Sequence, residues 1–251
     1  MKSYIAYVTG TNGQLGVAIT NQLKKENWHI FGMDISKDSS NPNVDQYTSG
    51  SICDKNDVQA FFENSKSILS GLDISGFSLI NNAGVSVFTP SEERTVEEFE
   101  YVVKVNLLGP IYGSTLFKDH LESLRTNASK TIVNIASIYG LISPNPSIYT
   151  DTARNSSEIY GASKAGVIQM TKYFACQYAK YGIAVNCVAP GGVLNEKLQG
   201  PMFIENYSSL VPMRRLCQSE EVGKLVKFLA EGSVKYLTGQ TIALDGGMSA
   251  W

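Results

Sequence analysis

The chain has 251 residues, 43% of them apolar and 18% charged, with a formal net charge of −2. That length allows one large domain with a sizeable core, and the composition is ordinary for a soluble globular protein. The small charge gives no reason to expect nucleic acid or an anionic membrane as a partner.

No apolar run reaches the length of a membrane span, and Met1-Lys2-Ser3-Tyr4 leads straight into a strand-like segment without a signal peptide. The four cysteines, Cys53, Cys176, Cys187 and Cys217, form no Cys-x-x-Cys pair and read as reduced thiols of a cytoplasmic protein. With only His29 and His120 available, neither a histidine-based metal site nor a Ser-His-Asp triad is easily built.

Tyr4 to Val8 is a short apolar run that reads as a buried strand. It enters Thr9-Gly10-Thr11-Asn12-Gly13-Gln14-Leu15-Gly16, followed by a helical pattern through Leu23. Strand, glycine turn and helix in that order predict dinucleotide binding. Glycines let the backbone approach a diphosphate, and the helix N terminus supplies free N–H groups. The second strand, His29 to Asp34, ends on an acid placed to bond adenosine ribose hydroxyls and to repel a 2′-phosphate. Asp34 therefore favours NAD(H) over NADP(H).

A polar loop, Ser36 to Pro42, precedes a short strand near Val44–Tyr47 and a helix from Lys55 to Leu69. Phe77 to Ile80 forms the next strand and ends in Asn81-Asn82-Ala83-Gly84, small and amide residues suited to close approach of a cofactor. Thr95-Val96-Glu97-Glu98 is a capping box opening a long helix to about Leu121. Asn106 falls in its middle, where asparagine is either a tolerated oddity or a local break that exposes a carbonyl. Lys130 to Ala136 is a β-branched strand whose carboxyl end places Ser137 at the ligand crevice.

Tyr160-Gly161-Ala162-Ser163-Lys164 opens the next helix. Tyr160 and Lys164 share a helix face one turn apart, so the ammonium is expected to lower the phenol pKa from about 10 toward neutrality. Such a phenol exchanges a proton with an alcohol or a carbonyl. Gly161 to Ala165 misses the last glycine of the hydrolase elbow Gly-x-Ser-x-Gly, which argues against a hydrolase. A strand at Ala184–Val188 leads to Pro190-Gly191-Gly192-Val193. A short helix or lid follows at Met202–Ser209, then a helix from Ser219 to Ala230 and a last strand at Thr241–Leu244 before Asp245-Gly246-Gly247. Strands and helices alternate without linker or repeat. The expected fold is a single α/β domain over residues 1–251, a Rossmann-type doubly wound parallel sheet with helices on both faces.

The ordered set of Thr9-Gly10, Asp34, Asn81-Asn82-Ala83-Gly84, Asn106, Ser137, Tyr160 with Lys164, Pro190-Gly191 and Asp245-Gly246-Gly247 resembles the short-chain dehydrogenase/reductase family in its compact single-domain form. The resemblance implies a catalytic tetrad. Tyr160 is general acid/base, Ser137 donates a hydrogen bond to the reacting oxygen, Lys164 holds the nicotinamide ribose and tunes Tyr160, and Asn106 holds a relay water. It extends the cofactor set to Gly10, Asn12, Gln14, Leu15, Gly16, Asp34, Ser51, Ile52, Asn82, Ala83, Gly84, Tyr160, Lys164, Pro190, Gly191, Val193 and Asn195. Substrate contacts are expected at Ser137, Tyr139, Arg154 and Gly192.

Three positions depart from the compact pattern. Gln14 stands where a glycine is usual, Ser51-Ile52 where an aspartate contacts adenine, and Asn195 where a threonine bonds the cofactor. Ser137 to Gly140, Ser143 to Tyr149, Tyr160 to Val167 and Asp245 to Trp251 are similar to bacterial members of surface-sugar and flagellin-glycan pathways.

The resulting expectation is an NAD(H)-dependent oxidoreductase interconverting a secondary alcohol and a ketone, on a sugar derivative, within carbohydrate metabolism. The twenty-two residues between Ser137 and Tyr160, rich in hydroxyls and amides, would choose the substrate, with Arg154 clamping an anionic group. The rivals are a 3-oxoacyl or other small-carbonyl reductase and a non-catalytic cofactor-binding scaffold or redox sensor. The resemblance implies a homotetramer or homodimer, pairing through the helices that carry Asn106 and Lys164 and through the last strand, with the apolar tail Met248–Trp251 buried near a neighbour.

Overall fold

Continuous apolar runs such as Ile5-Ala6-Tyr7-Val8 are buried on both sides, as a strand covered on two faces requires. The computed structural model describes residues 3–150 and 156–250. Seven strands, β1 Ser3–Thr9, β2 His29–Asp34, β3 Gln46–Ser49, β4 Ile74–Asn81, β5 Ser129–Ile135, β6 Ile183–Pro190 and β7 Thr241–Leu244, form one sheet in the order β3-β2-β1-β4-β5-β6-β7. Every pairing is parallel.

Successive side chains of β1 divide between two cores, as the two-residue period of a strand dictates. Ile5 and Tyr7 join Phe61, Phe62, Phe117, Val167 and Phe174 on one face. These come from helices α2 (Lys55–Glu63), α5 (Gly109–Leu124) and α6 (Glu158–Tyr178). Ala6 and Val8 join Ile19, Leu23, Val222 and Val226 on the other, supplied by α1 (Gln14–Lys24) and α8 (Ser219–Glu231). A third, smaller cluster of Ile148, Tyr207, Val211, Leu216 and Met248 lies around α7 (Pro201–Leu210). Met248 is thus buried within its own chain, and Trp251 lies outside the described residues.

Three elements differ from expectation. The third strand starts at Gln46, because Asp45 exchanges bonds with Ile30, giving its N–H to the Ile30 carbonyl (2.9 Å) and taking the Ile30 N–H on its carboxylate (2.7 Å). The helix expected from Lys55 to Leu69 is two, α2 and α3 (Lys66–Leu69). Ser65 stands at the break, its hydroxyl bonded to the Phe62 carbonyl at 2.7 Å and to Tyr7 Oη at 2.6 Å. The long helix after the Thr95 capping box consists of α4 (Val96–Val103), one π turn (Lys104–Leu108) and α5. Asn106 sits in that π turn, so the asparagine does mark a local break in the helix.

Candidate active site

From β1 the chain winds outward to β2 and β3, then returns to place β4 on the other side of β1. Such a reversal opens a crevice beyond the carboxyl ends of the two strands. A cleft of about 780 Å³ lies there, lined by Gly10, Asn12, Gln14, Leu15, Asp34, Ser51, Ile52, Asn82, Ala83 and Gly84 from the expected cofactor set. Cys53, Tyr101 and Lys104 also line it, and nothing local in the sequence singles them out.

The cleft wall is built for close approach. Gly10 has φ +69°, and a Cβ there would meet Ala83 Cα at 2.8 Å. A Cβ on Gly16 would meet the Gly10 carbonyl oxygen at 2.1 Å, so Gly16 acts by letting α1 pack against the turn. Thr9 Oγ1 receives the N–H groups of Asn82 and Ala83, both at 3.1 Å, and Asn82 Nδ2 donates to the carbonyls of Thr9 and Gly10 at 2.9 and 3.0 Å. Thr9 therefore joins the two turns, a role the sequence reading missed. Helix α1 opens on Gly13 with no side-chain cap and no acid in its first turn, leaving its positive end to an incoming anion.

Asp34 Oδ2 accepts the Asn12 N–H at 3.0 Å, and its other oxygen accepts from Ser36. Those bonds fix a carboxylate on the cleft wall. Ser51 and Ile52 also line the cleft and carry no charge. Ile52 packs tightly against Gly109, where an added Cβ would come within 2.7 Å of Ile52 Cγ1.

At the other end, β5 delivers Ser137 to the mouth of the sheet, where it caps the 3-10 turn Ile138–Gly140 by accepting the Tyr139 N–H at 3.2 Å. Ser157 caps α6 by accepting the Tyr160 N–H at 3.2 Å. The turn and the helix touch through glycine. A Cβ on Gly140 would meet the backbone of Lys164 at 2.7 Å, and one on Gly161 would meet the Tyr139 carbonyl at 3.0 Å. Lys164 is 5% exposed, and its Nζ donates to the Ile135 carbonyl at 2.9 Å. Burial lowers its pKa to about 8. Lys164 Nζ packs behind Gly84 of the cleft wall, where an added Cβ would come within 3.3 Å of it.

Tyr160 does not behave as expected from its spacing to Lys164. Burial, the largest influence, raises its pKa, while a hydrogen bond with Ser137 pulls it down. The ammonium lies 5.8 Å from the Tyr160 ring centroid and is turned toward Ile135. In this state desolvation outweighs the cation.

Asn106 is buried. Its Oδ1 accepts the Val85 N–H at 2.8 Å, and its Nδ2 donates to the Val85 carbonyl at 2.9 Å and to Ser163 Oγ at 3.0 Å. Ser163 in turn donates to the Tyr160 carbonyl at 2.7 Å. Behind these groups lies a buried polar chain. Asn81 Nδ2 donates to Asn134 Oδ1 (2.8 Å) and Ser114 Oγ (3.2 Å), and Asn134 Nδ2 donates to Thr171 Oγ1 (2.9 Å).

Pro190 is the last residue of β6 and Gly191, Val193 and Asn195 follow it, and none of the four lines the cleft. The Gly192 N–H, expected at the substrate, is taken by Tyr207 Oη at 2.5 Å. Tyr139 Oη lies 3.3 Å from Tyr149 Oη, and burial holds the Tyr139 phenol strongly protonated. Arg154, with Asp151, Thr152 and Asn155 of the same segment, lies outside the described residues. Among the described residues no three His, Cys, Asp or Glu side chains form a group able to hold a metal ion, and no helix is long and apolar enough to cross a membrane.

A parallel sheet with a glycine-lined crevice at its switch point, and a serine, tyrosine and lysine beside it, defines a nucleotide-cofactor oxidoreductase. Residues 10–249 match the family model described as Enoyl-(Acyl carrier protein) reductase. The chain belongs to the short-chain dehydrogenase/reductase family. It is 31% identical to a tropinone reductase homologue of Arabidopsis thaliana, over 99% of this chain and 80% of that protein. It is 35% identical to 3beta-hydroxysteroid dehydrogenase 1 of Eggerthella lenta, over 77% of this chain and 70% of that one. A crystal structure of a short chain dehydrogenase from Leptospira borgpetersenii with bound NAD+ superposes with a TM-score of 0.86 at 30% identity, covering 99% of this chain and 94% of that one. Another, ElxO with NADP bound, gives 0.82 at 26% identity with both chains fully covered. Similar proteins thus bind either dinucleotide.

Proposed function

We propose that the chain interconverts a secondary alcohol and a ketone with NAD(H), using Asn106, Ser137, Tyr160 and Lys164. The observation that carries this reading is the approach of Lys164 Nζ to Gly84, which sets the helix turn bearing Tyr160 and Lys164 against the wall of the glycine-lined cleft. The uncapped α1 N terminus fits a diphosphate, and Asp34 fits a ribose with free hydroxyls. When bound, the nicotinamide supplies or takes up the hydride. Ser137 Oγ orients the substrate oxygen, and the Tyr160 hydroxyl gives that oxygen a proton in reduction and recovers it in oxidation. Burial of the phenol keeps it in the protonated form that reduction uses. The Lys164 ammonium stabilises the phenolate left behind and holds the nicotinamide ribose. The Asn106 amide is committed to Val85 and Ser163, so a relay water falls to its main-chain carbonyl.

For the substrate, a sugar derivative is supported by hydroxyl and amide groups on the approach to Tyr160. These are Tyr139, Tyr149, and Thr150, which accepts from Asn206 Nδ2 at 2.9 Å. Arg154 is proposed to clamp an anionic group of that substrate. A second reading, a bulky apolar ring ketone, draws on the aromatic row Tyr149–Phe203–Tyr207, with ring centroids 5.7 and 5.9 Å apart, and on the named substrates of the relatives. The chain is further proposed to be a cytoplasmic homotetramer or homodimer, consistent with exposed Tyr101 and Val103 on α4 and Tyr173 on α6.

The test is NADH consumption on ketoses, nucleotide sugars, alicyclic and steroid ketones, and a 3-oxoacyl thioester. Turnover confined to sugars supports the first reading, and turnover confined to ring ketones supports the second. Turnover on none of them, in a chain that binds NADH, would leave the proposed reaction without a substrate.

A further inference from the structure

Two of the departures noted in the sequence meet each other in space. Asn195 Nδ2 donates to Gln14 Oε1 at 2.8 Å, and Gln14 Nε2 donates to the Leu194 carbonyl at 2.6 Å, across 181 and 180 residues of chain. A glycine at 14, the residue usual in compact members, has no side chain with which to make either bond.

The segment around Asn195 is itself stitched by amides. Asn195 Oδ1 accepts the Lys197 N–H at 3.2 Å, Gln199 Oε1 accepts the Asn195 N–H at 2.8 Å, and Gln199 Nε2 donates to the Val193 carbonyl at 2.9 Å. At one end this strap is paired to Cys217 through Val193, and at the other it runs into α7. Gln14 is the first residue of α1 and lines the cleft. A dinucleotide held between Asp34 and Lys164 places its diphosphate at that first helical turn, beside the Gln14–Asn195 contact.

We propose that Gln14 and Asn195 form a clasp that ties the 193–199 strap to the diphosphate-binding turn and sets the rate of cofactor exchange. It opens to admit the dinucleotide and recloses to retain it. This rests on the reading of the cleft as a dinucleotide site and adds two positioning residues to it. Because the clasp is closed before and after binding, its loss speeds entry and exit together and moves the equilibrium affinity less than either rate.

The experiment is stopped-flow NADH fluorescence on wild type, Gln14→Met, Asn195→Ala, the two combined, and the length-preserving exchange Gln14→Asn with Asn195→Gln. Each single substitution should raise the dissociation rate roughly tenfold, the scale of the hydrogen bonds lost. The Gln14→Met/Asn195→Ala pair should add little to either alone, and the exchange should return the rate toward wild type. In the cofactor-free chain, amide hydrogen exchange over residues 193–199 should quicken in Gln14→Met. Unchanged dissociation and exchange in that variant, or single effects that multiply in the combined variant, overturn the clasp. A wild-type chain that binds neither NADH nor NADPH removes the dinucleotide reading itself, and the clasp's role with it.

Discussion

Lys164 Nζ lies 5.8 Å from the Tyr160 ring centroid and donates to the carbonyl of Ile135, the last residue of β5, at 2.9 Å. The lysine therefore joins strand end to helix before it meets any ligand, and the phenol it accompanies stays protonated. Tyr160→Phe keeps the ring and removes the proton. Turnover should fall by about 100-fold or more, with little change in NADH affinity. A variant that retains most of its kcat would show the proton passing through another group.

In the proposed function Asp34 faces the adenosine ribose, where a 2′-phosphate would have to be accommodated. NADH should be preferred over NADPH, and Asp34→Ser should weaken NADH while relaxing the exclusion of NADPH, because a like-charge clash is lifted. The ratio of kcat/KM for the two cofactors measures this directly. A wild-type preference for NADPH would contradict the assigned role of this carboxylate.

Asn134 joins β5 to β4 and α6 through Asn81 and Thr171, all in the core. Asn134→Leu keeps the heavy-atom branching but strips Asn81 of an acceptor. It should cost about 2–3 kcal/mol of stability, the scale of a buried polar group left unpaired. Denaturant unfolding reads this out, and a midpoint equal to wild type would mean the chain of amides carries no net stabilisation.

His120 is buried beside Tyr7, whose Oη lies 2.9 Å from Nε2. Burial, assisted by Lys66, lowers its pKa to about 4. The unfolded chain binds this proton near pH 6.5 and the folded chain only near 4, so the contribution is intact above about pH 6.5. It is lost as pH falls from 6.5 toward 4 and is level below that, about 3 kcal/mol in all. His120→Gln should flatten that part of the stability profile. Equal slopes for variant and wild type over this interval would show His120 titrating freely.

Strand positions were legible because burial on both faces writes itself as uninterrupted apolar runs, and the Thr95 capping box marked the start of α4 to the residue. What the sequence hid was long-range. Ser65 breaks a helix because Tyr7, 58 residues earlier, offers its hydroxyl a partner. The Asn81–Asn134–Thr171 chain and the Gln14–Asn195 pair likewise join residues that no local period connects. Tyr160 and Lys164 were found by spacing. The direction of the Tyr160 pKa was not, because spacing reports proximity and carries no information on burial.

Asn106 offers Val85 a carbonyl oxygen and an N–H at 2.8 and 2.9 Å, which is what a residue on an adjacent strand would offer. The side-chain amide is a surrogate peptide group, a single ladder rung supplied from a helix, and its second proton fastens that rung to α6 through Ser163. Aspartate would reproduce the shape but present no donor to the Val85 carbonyl, and glutamine would overshoot by one methylene. The position thus selects asparagine by main-chain mimicry before any demand of catalysis, and Asn106→Asp should release the 85–88 segment even in a chain that never meets a substrate.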